Sequence, residues 1–244
     1  MRRFYCTNEE IIDGLVYFDK NESKHISRVL RLEKGENIIV STGDGIDRYC
    51  TLTKTGEEAV AKIYETLKNE NEPESEIVLF QSVIKNEKMD LLIQKVTELG
   101  ITKIVPVITE RTVVKIEDSK KELKKQDRWQ KIALEACKQC GRSRVPKVES
   151  VKSFDEAIEL FKSCQLKIVA YEEETTKSIV SAIPKSKSIG YFIGAEGGIT
   201  KKEHEKLKQA GAISVSLGKR ILRAETAAIV TGGIILALNG EMDV

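Results

Sequence analysis

The sequence predicts an α/β fold, with a mostly parallel sheet covered by helices on both faces and a small β-rich domain in front of it. Three observations carry this. From residue 77 onward, short apolar runs alternate with helical patterns, the signature of strand–helix–strand units. The first 70 residues instead read as short strands and glycine turns. Between them, residues 68–76 are polar, charged and broken by Pro73, which reads as an interdomain linker. The expected domains are residues 1–72 and 73–244.

In the first part, residues 38–41 and 48–53 flank the turn Thr42-Gly43-Asp44-Gly45 and form a hairpin, and residues 60–64 are a further strand. In the second part, residues 77–80 begin a buried strand. Met89, Leu92, Ile93, Val96 and Leu99 recur at helical spacing, with Gly100 where the helix ends. Residues 104–108 are a strand whose Pro106 argues for a sheet edge or a strand end. Residues 128–140 form a basic amphipathic helix with Trp129, Ile132, Ala133, Ala136 and Cys137 on its apolar face. Capping-box patterns at Ser153–Glu156 and Thr200–Glu203 open two more helices. The remaining elements are strand 166–171, helix 175–182, strand 188–193, helix 200–210, strand 213–217 and helix 224–239.

Hydrophobic content of 41% and charged content of 32% fit a chain with ordinary cores. No apolar run approaches the roughly 20 residues of a membrane span, and no apolar signal segment follows the N-terminus, so a cytoplasmic protein is expected. Five scattered cysteines fit reduced thiols better than a disulfide framework. Cys137-x-x-Cys140 does not read as a metal or redox site. There is no second such pair, and the chain has only two histidines. A redox pair also prefers a helix N-terminus, and this one lies near a C-terminus. Net charge is +2, but residues 111–152 hold 13 Lys/Arg against 6 Asp/Glu. That segment fits either a polyanionic partner or a solvated helical face.

Two loops near the C-terminus carry the chemistry. The first, IGAEGGI at residues 193–199, places three glycines in five positions directly after a strand. Glycine there lets a ligand meet bare backbone, at the strand end where open α/β sheets bind ligands. The other reading is a tight turn. The second, SLGKRILRAETAA at residues 216–228, again sets a glycine after a strand. Ile221 and Leu222 can sandwich a flat ring or pack in a core. Arg220 and Arg223 bracket them, and Glu225 and Thr226 open the last helix, where capping is the alternative role. Neither loop is a dinucleotide or nucleoside-triphosphate fingerprint, which argues against a nucleotide-dependent oxidoreductase.

This pair of loops resembles the cofactor block of the SPOUT class of RNA methyltransferases, and within it the RsmE family of 16S ribosomal RNA uridine-N3 methyltransferases. The resemblance covers most of the chain, including HISRVLR at 25–31, KVTELG at 95–100 and EACKQCGRSRVP at 135–146. The family's usual pattern has proline where this chain has Ala195 and threonine where it has Ala224. The resemblance implies a trefoil-knotted SPOUT domain, a PUA-like β-barrel over residues 1–72 that helps grip RNA, and a homodimer. It further implies S-adenosylmethionine held by Gly194, Ala195, Glu196, Gly197, Gly198, Leu217, Gly218, Ile221, Leu222, Arg223 and Thr226, with no metal. The implied partner is 16S ribosomal RNA in the 30S subunit, gripped by His25, Arg28, Arg31, Gln139, Arg142 and Arg144. Cations and Gly141 at a helix end also fit a C-cap, and His25 alone reads as a structural or surface histidine. His204 is expected on an exposed helix, uninvolved.

The implied reaction is methylation at N3 of a specific uridine. N3 is blocked in a base pair, so the target must be unpaired or flipped. Arg223 is a candidate to stabilise the developing anion, and Glu196 or Glu225 a candidate base. The alternative is a non-catalytic RNA-binding ribosome-assembly module on the same fold, which would not need the cofactor loops.

Overall fold

The computed structural model describes residues 1–113 and 119–243, so residues 114–118 of the basic segment lie outside the described residues. The chain divides into two compact units. One comprises Met1–Glu72 with Cys137–Val145, the other Pro73–Ala136 with Pro146–Val244.

The first unit contains strands β1 (Arg2–Tyr5), β2 (Ile11–Ile12) and β3 (Leu15–Tyr17), helix α1 (Lys20–Lys24), and strands β4 (Asn37–Ser41), β5 (Ile46–Lys54) and β6 (Val60–Lys68). The strands form one sheet in the order β1-β4-β5-β6-β3-β2. Only the β1–β4 pair is parallel among these. Phe4 from β1 and Val16 from β3 join the same core as Ile38, Val40, Cys50 and Ala61, so the sheet curls around one apolar centre. The expected hairpin and third strand are present. The sequence reading missed α1, which continues through a wider-wound turn at His25–Val29. Asp19 caps α1 by accepting from the Glu22 amide at 2.7 Å, and Ile26 is fully buried in the core.

The second unit follows with strand β7 (Glu76–Ser82), helix α2 (Asn86–Leu99), strand β8 (Lys103–Ile108), helix α3 (Ser119–Cys140, whose last turn counts with the first unit), and strands β9 (Lys147–Val148) and β10 (Lys152–Ser153). Then come α4 (Phe154–Lys162), β11 (Leu166–Ala170), α5 (Ile179–Ala182), β12 (Ser188–Ile193), α6 (Lys201–Gln209), β13 (Ile213–Val215) and α7 (Ala224–Asn239). The sheet order is β10-β8-β7-β12-β11-β13, with β9 also on β8, and every pair is parallel. On one face Val78, Phe80, Val107 and Phe192 pack with Ala157, Ile158 and Phe161 of α4 and Leu207 of α6. On the other, α2 and α7 pack together and α7 lies on β7 and β12, over fully buried residues such as Leu79 and Tyr191. Covering both faces is what a parallel sheet requires.

Several elements of this unit differ from the sequence reading. α3 begins at Ser119, nine residues before the expected 128, and β9 and β10 were not expected. β8 is not a sheet edge, because β7 flanks it on one side and β9 and β10 on the other. The Ile104 carbonyl accepts from the Glu149 amide on the β9 side, so by strand alternation Pro106 faces the same way. It falls between the β9 ladder at Lys103–Ile104 and the β10 ladder at Val107–Ile108, where a missing N–H costs no pairing. The helix expected over 175–182 is only Ile179–Ala182, capped by Ser178. The strand expected over 213–217 ends at Val215. Both capping boxes form, and Gly100 ends α2 at φ 119°.

Candidate cofactor pocket and RNA-facing residues

Sheet order decides where the site lies. β12, β11 and β13 are neighbours and all run parallel, so the loops leaving their carboxyl ends meet on one edge. Together they line a cavity of about 640 Å³. From the β12 loop come Gly194, Ala195, Glu196, Gly197 and Gly198. From the β13 loop come Leu217, Gly218, Arg220, Ile221, Leu222 and Arg223. The third loop, after β11, contributes Tyr171 and Glu172, which sequence reasoning missed because residue 171 reads as the end of a strand and no local pattern marks Glu172. Lys88 from the first turn of α2 and Ser216 also line the cavity outside the expected set, as do Ala170, Ile193, Ala224 and Ala227. Thr226 of the sequence set is not among the lining residues; it is exposed on α7.

The β12 loop is both tight turn and bare wall. The Gly198 amide donates to the Ala195 carbonyl at 2.9 Å. A Cβ on Gly194 would lie 2.8 Å from the Gly198 carbonyl carbon. Gly198 has φ +75°, and a Cβ there would overlap the Glu172 carboxylate, so no other residue type fits either position without displacement. The loop is tied from three sides. Gln81 donates to the Gly194 carbonyl at 3.3 Å, Arg111 to the Gly197 carbonyl at 2.6 Å, and the Lys85 amide to Glu196 at 3.4 Å. In the β11 loop the Glu174 carboxylate accepts from Thr176 and Lys177, and the Thr176 hydroxyl leads in holding its pKa down to about 2.

Ile221 is 83% exposed at the cavity, so it is not core packing. Arg220 and Arg223 are exposed, and Arg223 is the residue preceding α7. Glu225 is buried beneath, in the first turn of α7. Its carboxylate and that of Glu196 both approach Lys88, at 3.9 and 3.7 Å. His204 is not on an open surface. Its ring stacks on Tyr171 with centroids 3.8 Å apart, and Nε2 lies 2.6 Å from the Ser214 hydroxyl.

Residues 70–236 match a family model described as RNA methyltransferase domain, and residues 18–64 one described as RNA methyltransferase PUA domain. The ribosomal RNA small subunit methyltransferase E of Bacillus subtilis (strain 168) is 37% identical over 238 residues, covering 93% of each chain. The chain belongs to the RsmE family of SPOUT-class RNA methyltransferases. Among solved structures, the family member from Neisseria gonorrhoeae bound to S-adenosyl methionine superposes with a TM-score of 0.88 at 34% identity, covering 98% of each chain. The putative methyltransferase Lpg2936 of Legionella pneumophila, in complex with its bound cofactor SAM, gives 0.87 at 30% identity and 96% of each chain. The fold class expected for the RsmE family, a parallel α/β domain preceded by a curled PUA-like sheet, is the one observed.

The six residues expected to grip RNA lie in two distant stretches of sequence, yet all belong to the first unit. Glu22 joins the stretches: it lies 3.0 Å from His25 Nδ1 and 3.8 Å from Lys138 Nζ. Arg28, Arg31, Gln139 and Arg144 are exposed, and His25 is half-exposed. Arg142 is placed otherwise. Its side chain is 2% exposed and donates to Glu72, 3.0 Å from Nη2, so it offers no guanidinium to a phosphate in this structure. Around it runs a buried polar network. Asp47 accepts from Arg3, Ser143 and Asn69, and Glu72 accepts from the Ser143 and Arg144 amides at 2.7 Å. Burial alone would push the Asp47 carboxyl up, but these hydrogen bonds hold it below its ordinary range. Residues 68–72 are thus anchored, with Asn69 4% exposed.

Cys137 is buried, which pushes its thiol up to about 12, the reverse of a reactive thiolate. Among the described residues no metal-binding cluster of His, Cys, Asp and Glu occurs, and no helix is long and apolar enough to cross a membrane.

Proposed function

We propose that the protein methylates N3 of a specific uridine in 16S ribosomal RNA of the small subunit, using S-adenosylmethionine, in the cytoplasm. The observation that carries the reading is the pocket at the carboxyl ends of β11, β12 and β13, lined by both loops that bear the family motifs.

The residues fit the cofactor. Gly194 and Gly198 leave backbone bare where a Cβ would intrude. The exposed Ile221 and half-buried Leu222 offer apolar surface to a flat purine. Glu172 and Glu196 place carboxylates at the wall, suited to a ligand that carries positive charge. When bound, the cofactor supplies an electrophilic methyl group on a sulfonium. The chain's own part is to align the target base with it, which is worth several orders of magnitude in rate. Arg223, exposed at the cavity mouth, stabilises negative charge as the N3 proton leaves. Glu196 and Glu225 are the candidate acceptors of that proton.

Residues 1–72, with His25, Arg28, Arg31, Gln139 and Arg144, form the RNA grip, and residues 73–244 the methyltransferase domain. A homodimer fits the outward stripe of α7. Thr226, Val230, Gly233 and Ala237 recur there at helical spacing, with Val230 37% exposed.

The test is nucleoside mass spectrometry of 30S subunits from a strain lacking the gene, after incubation with the protein and labelled S-adenosylmethionine. Label in 3-methyluridine at one position is expected. Label in another nucleoside, or none, sinks the reading.

A further inference from the structure

Lys88 is an unusual residue for its position. It lies in the first turn of α2, where the helix dipole disfavours a cation. Lysine's good helix propensity suits it to α2 but does not call for a positive charge at this end. Its ammonium is instead turned to two carboxylates from elements far along the chain. Glu196 Oε1 in the β12 loop lies 3.7 Å away, and Glu225 Oε2 in the first turn of α7 lies 3.9 Å away. The residue preceding α2 reaches Glu196 as well, through the Lys85 amide at 3.4 Å.

Glu225 sharpens the point. It is 8% exposed, and its Oε2 has no hydrogen-bond partner. A buried carboxylate oxygen without a donor costs free energy unless a charge compensates it. Lys88 is the ion-pair partner observed for both carboxylates. Both approaches exceed hydrogen-bonding distance, so the two carboxylates share one counter-charge without a direct hydrogen bond to it. Glu196 lines the pocket, and Glu225 lies buried next to the lining residue Ala224.

We propose that Lys88 is a positioning residue of the methyl-transfer site. It holds Glu196 and Glu225 in register with each other, and so ties the β12 loop to the start of α7, where the β13 loop ends. This rests on the reading of that pocket as the S-adenosylmethionine site. Lys88 acts through the two carboxylates rather than on the methyl group, and its loss slows the chemical step more than it weakens cofactor binding. Removing a cation beside acidic groups does not by itself repel a sulfonium.

The experiment compares wild type with Lys88→Met, Lys88→Gln and Lys88→Arg. It measures S-adenosylmethionine affinity by calorimetry, single-turnover methylation of 30S subunits, and thermal unfolding as a check on folding. Lys88→Met and Lys88→Gln should lose at least about tenfold in single-turnover rate with affinity within about threefold, a split that general damage to the fold does not produce. Lys88→Arg should recover most of the rate. In a Glu196→Gln/Glu225→Gln background, Lys88→Met should have little further effect, because residues acting as one unit are non-additive.

A wild-type rate in both neutral variants overturns the proposal, as do parallel losses of rate and affinity or full additivity in the double-glutamine background. A wild-type protein that takes up no S-adenosylmethionine overturns the pocket reading itself, and the proposal with it.

Discussion

The imidazole of His204 lies flat on Tyr171, which lines the pocket, and bonds Ser214 on β13. Burial is the main reason its pKa is lowered from 6.5; Lys208 adds to the effect, and Glu205, Glu174 and Glu173 oppose it. In the unfolded chain the ring gains its proton at higher pH than in the folded one. Stability from this residue is therefore complete above about pH 6.5 and is lost as pH falls toward the folded value. Urea unfolding across that range should show the loss in wild type. His204→Phe, which keeps the stack, should flatten it, and an equal slope in the variant would count against this assignment. Gly198 gives a second test. Gly198→Ala forces φ +75° on alanine and drives its Cβ into Glu172, whereas a Cβ at Gly218 (φ +108°) meets nothing within 4 Å. Gly218→Ala should cost only backbone strain of about 1–3 kcal/mol. Gly198→Ala should also lose at least about tenfold in S-adenosylmethionine affinity by calorimetry, roughly 1.4 kcal/mol. The glycines were legible as loop residues from sequence. Glu172, Tyr171 and Lys88 were not, since nothing local marks a residue whose role comes from a neighbouring strand.

Residues 137–145, the last turn of α3 and the loop after it, separate two arginines that look alike in sequence. Arg142 is buried against Glu72 while Arg144 is exposed. Removing one partner of a buried pair is costly, so Arg142→Ala should lower unfolding stability by about 3 kcal/mol and leave the salt dependence of RNA binding unchanged. Arg144→Ala should reverse the pattern, with stability within about 0.5 kcal/mol and a salt slope reduced by about one. A reduced slope for Arg142→Ala would return it to the RNA grip. Element boundaries were readable where capping chemistry is strong, at Ser153 and Thr200, and where glycine ends a helix, at Gly100. The helix beginning at Lys20 carries little sequence signal beyond Asp19 and Glu22 standing three apart, and it is only five residues long. Pro106 misled because its tolerance depends on two two-residue strands lining up beside β8 with a gap between them.

At the scale of the whole molecule, alternation of strands and helices was enough to predict a parallel sheet, but not its order. That order gathers the three loops at one edge, and only the family motifs pointed to the outcome. The outward stripe of α7 makes a prediction at this scale. Val230→Glu should shift the protein toward monomer in sedimentation at micromolar concentration, and an unchanged mass would remove this face as the dimer surface. The first unit carries a further consequence, for synthesis. Its buried carboxylates Asp47 and Glu72 find their donors partly in residues 143–144. While the ribosome is still translating the intervening 64 residues, Asp47 has only Arg3 and Asn69, and Glu72 lacks the Arg142 guanidinium and two amides. The amino-terminal portion therefore emerges first but closes late. A nascent chain halted before residue 137 should be cut readily by protease in its first 72 residues, and one extended past 145 and clear of the exit tunnel should resist.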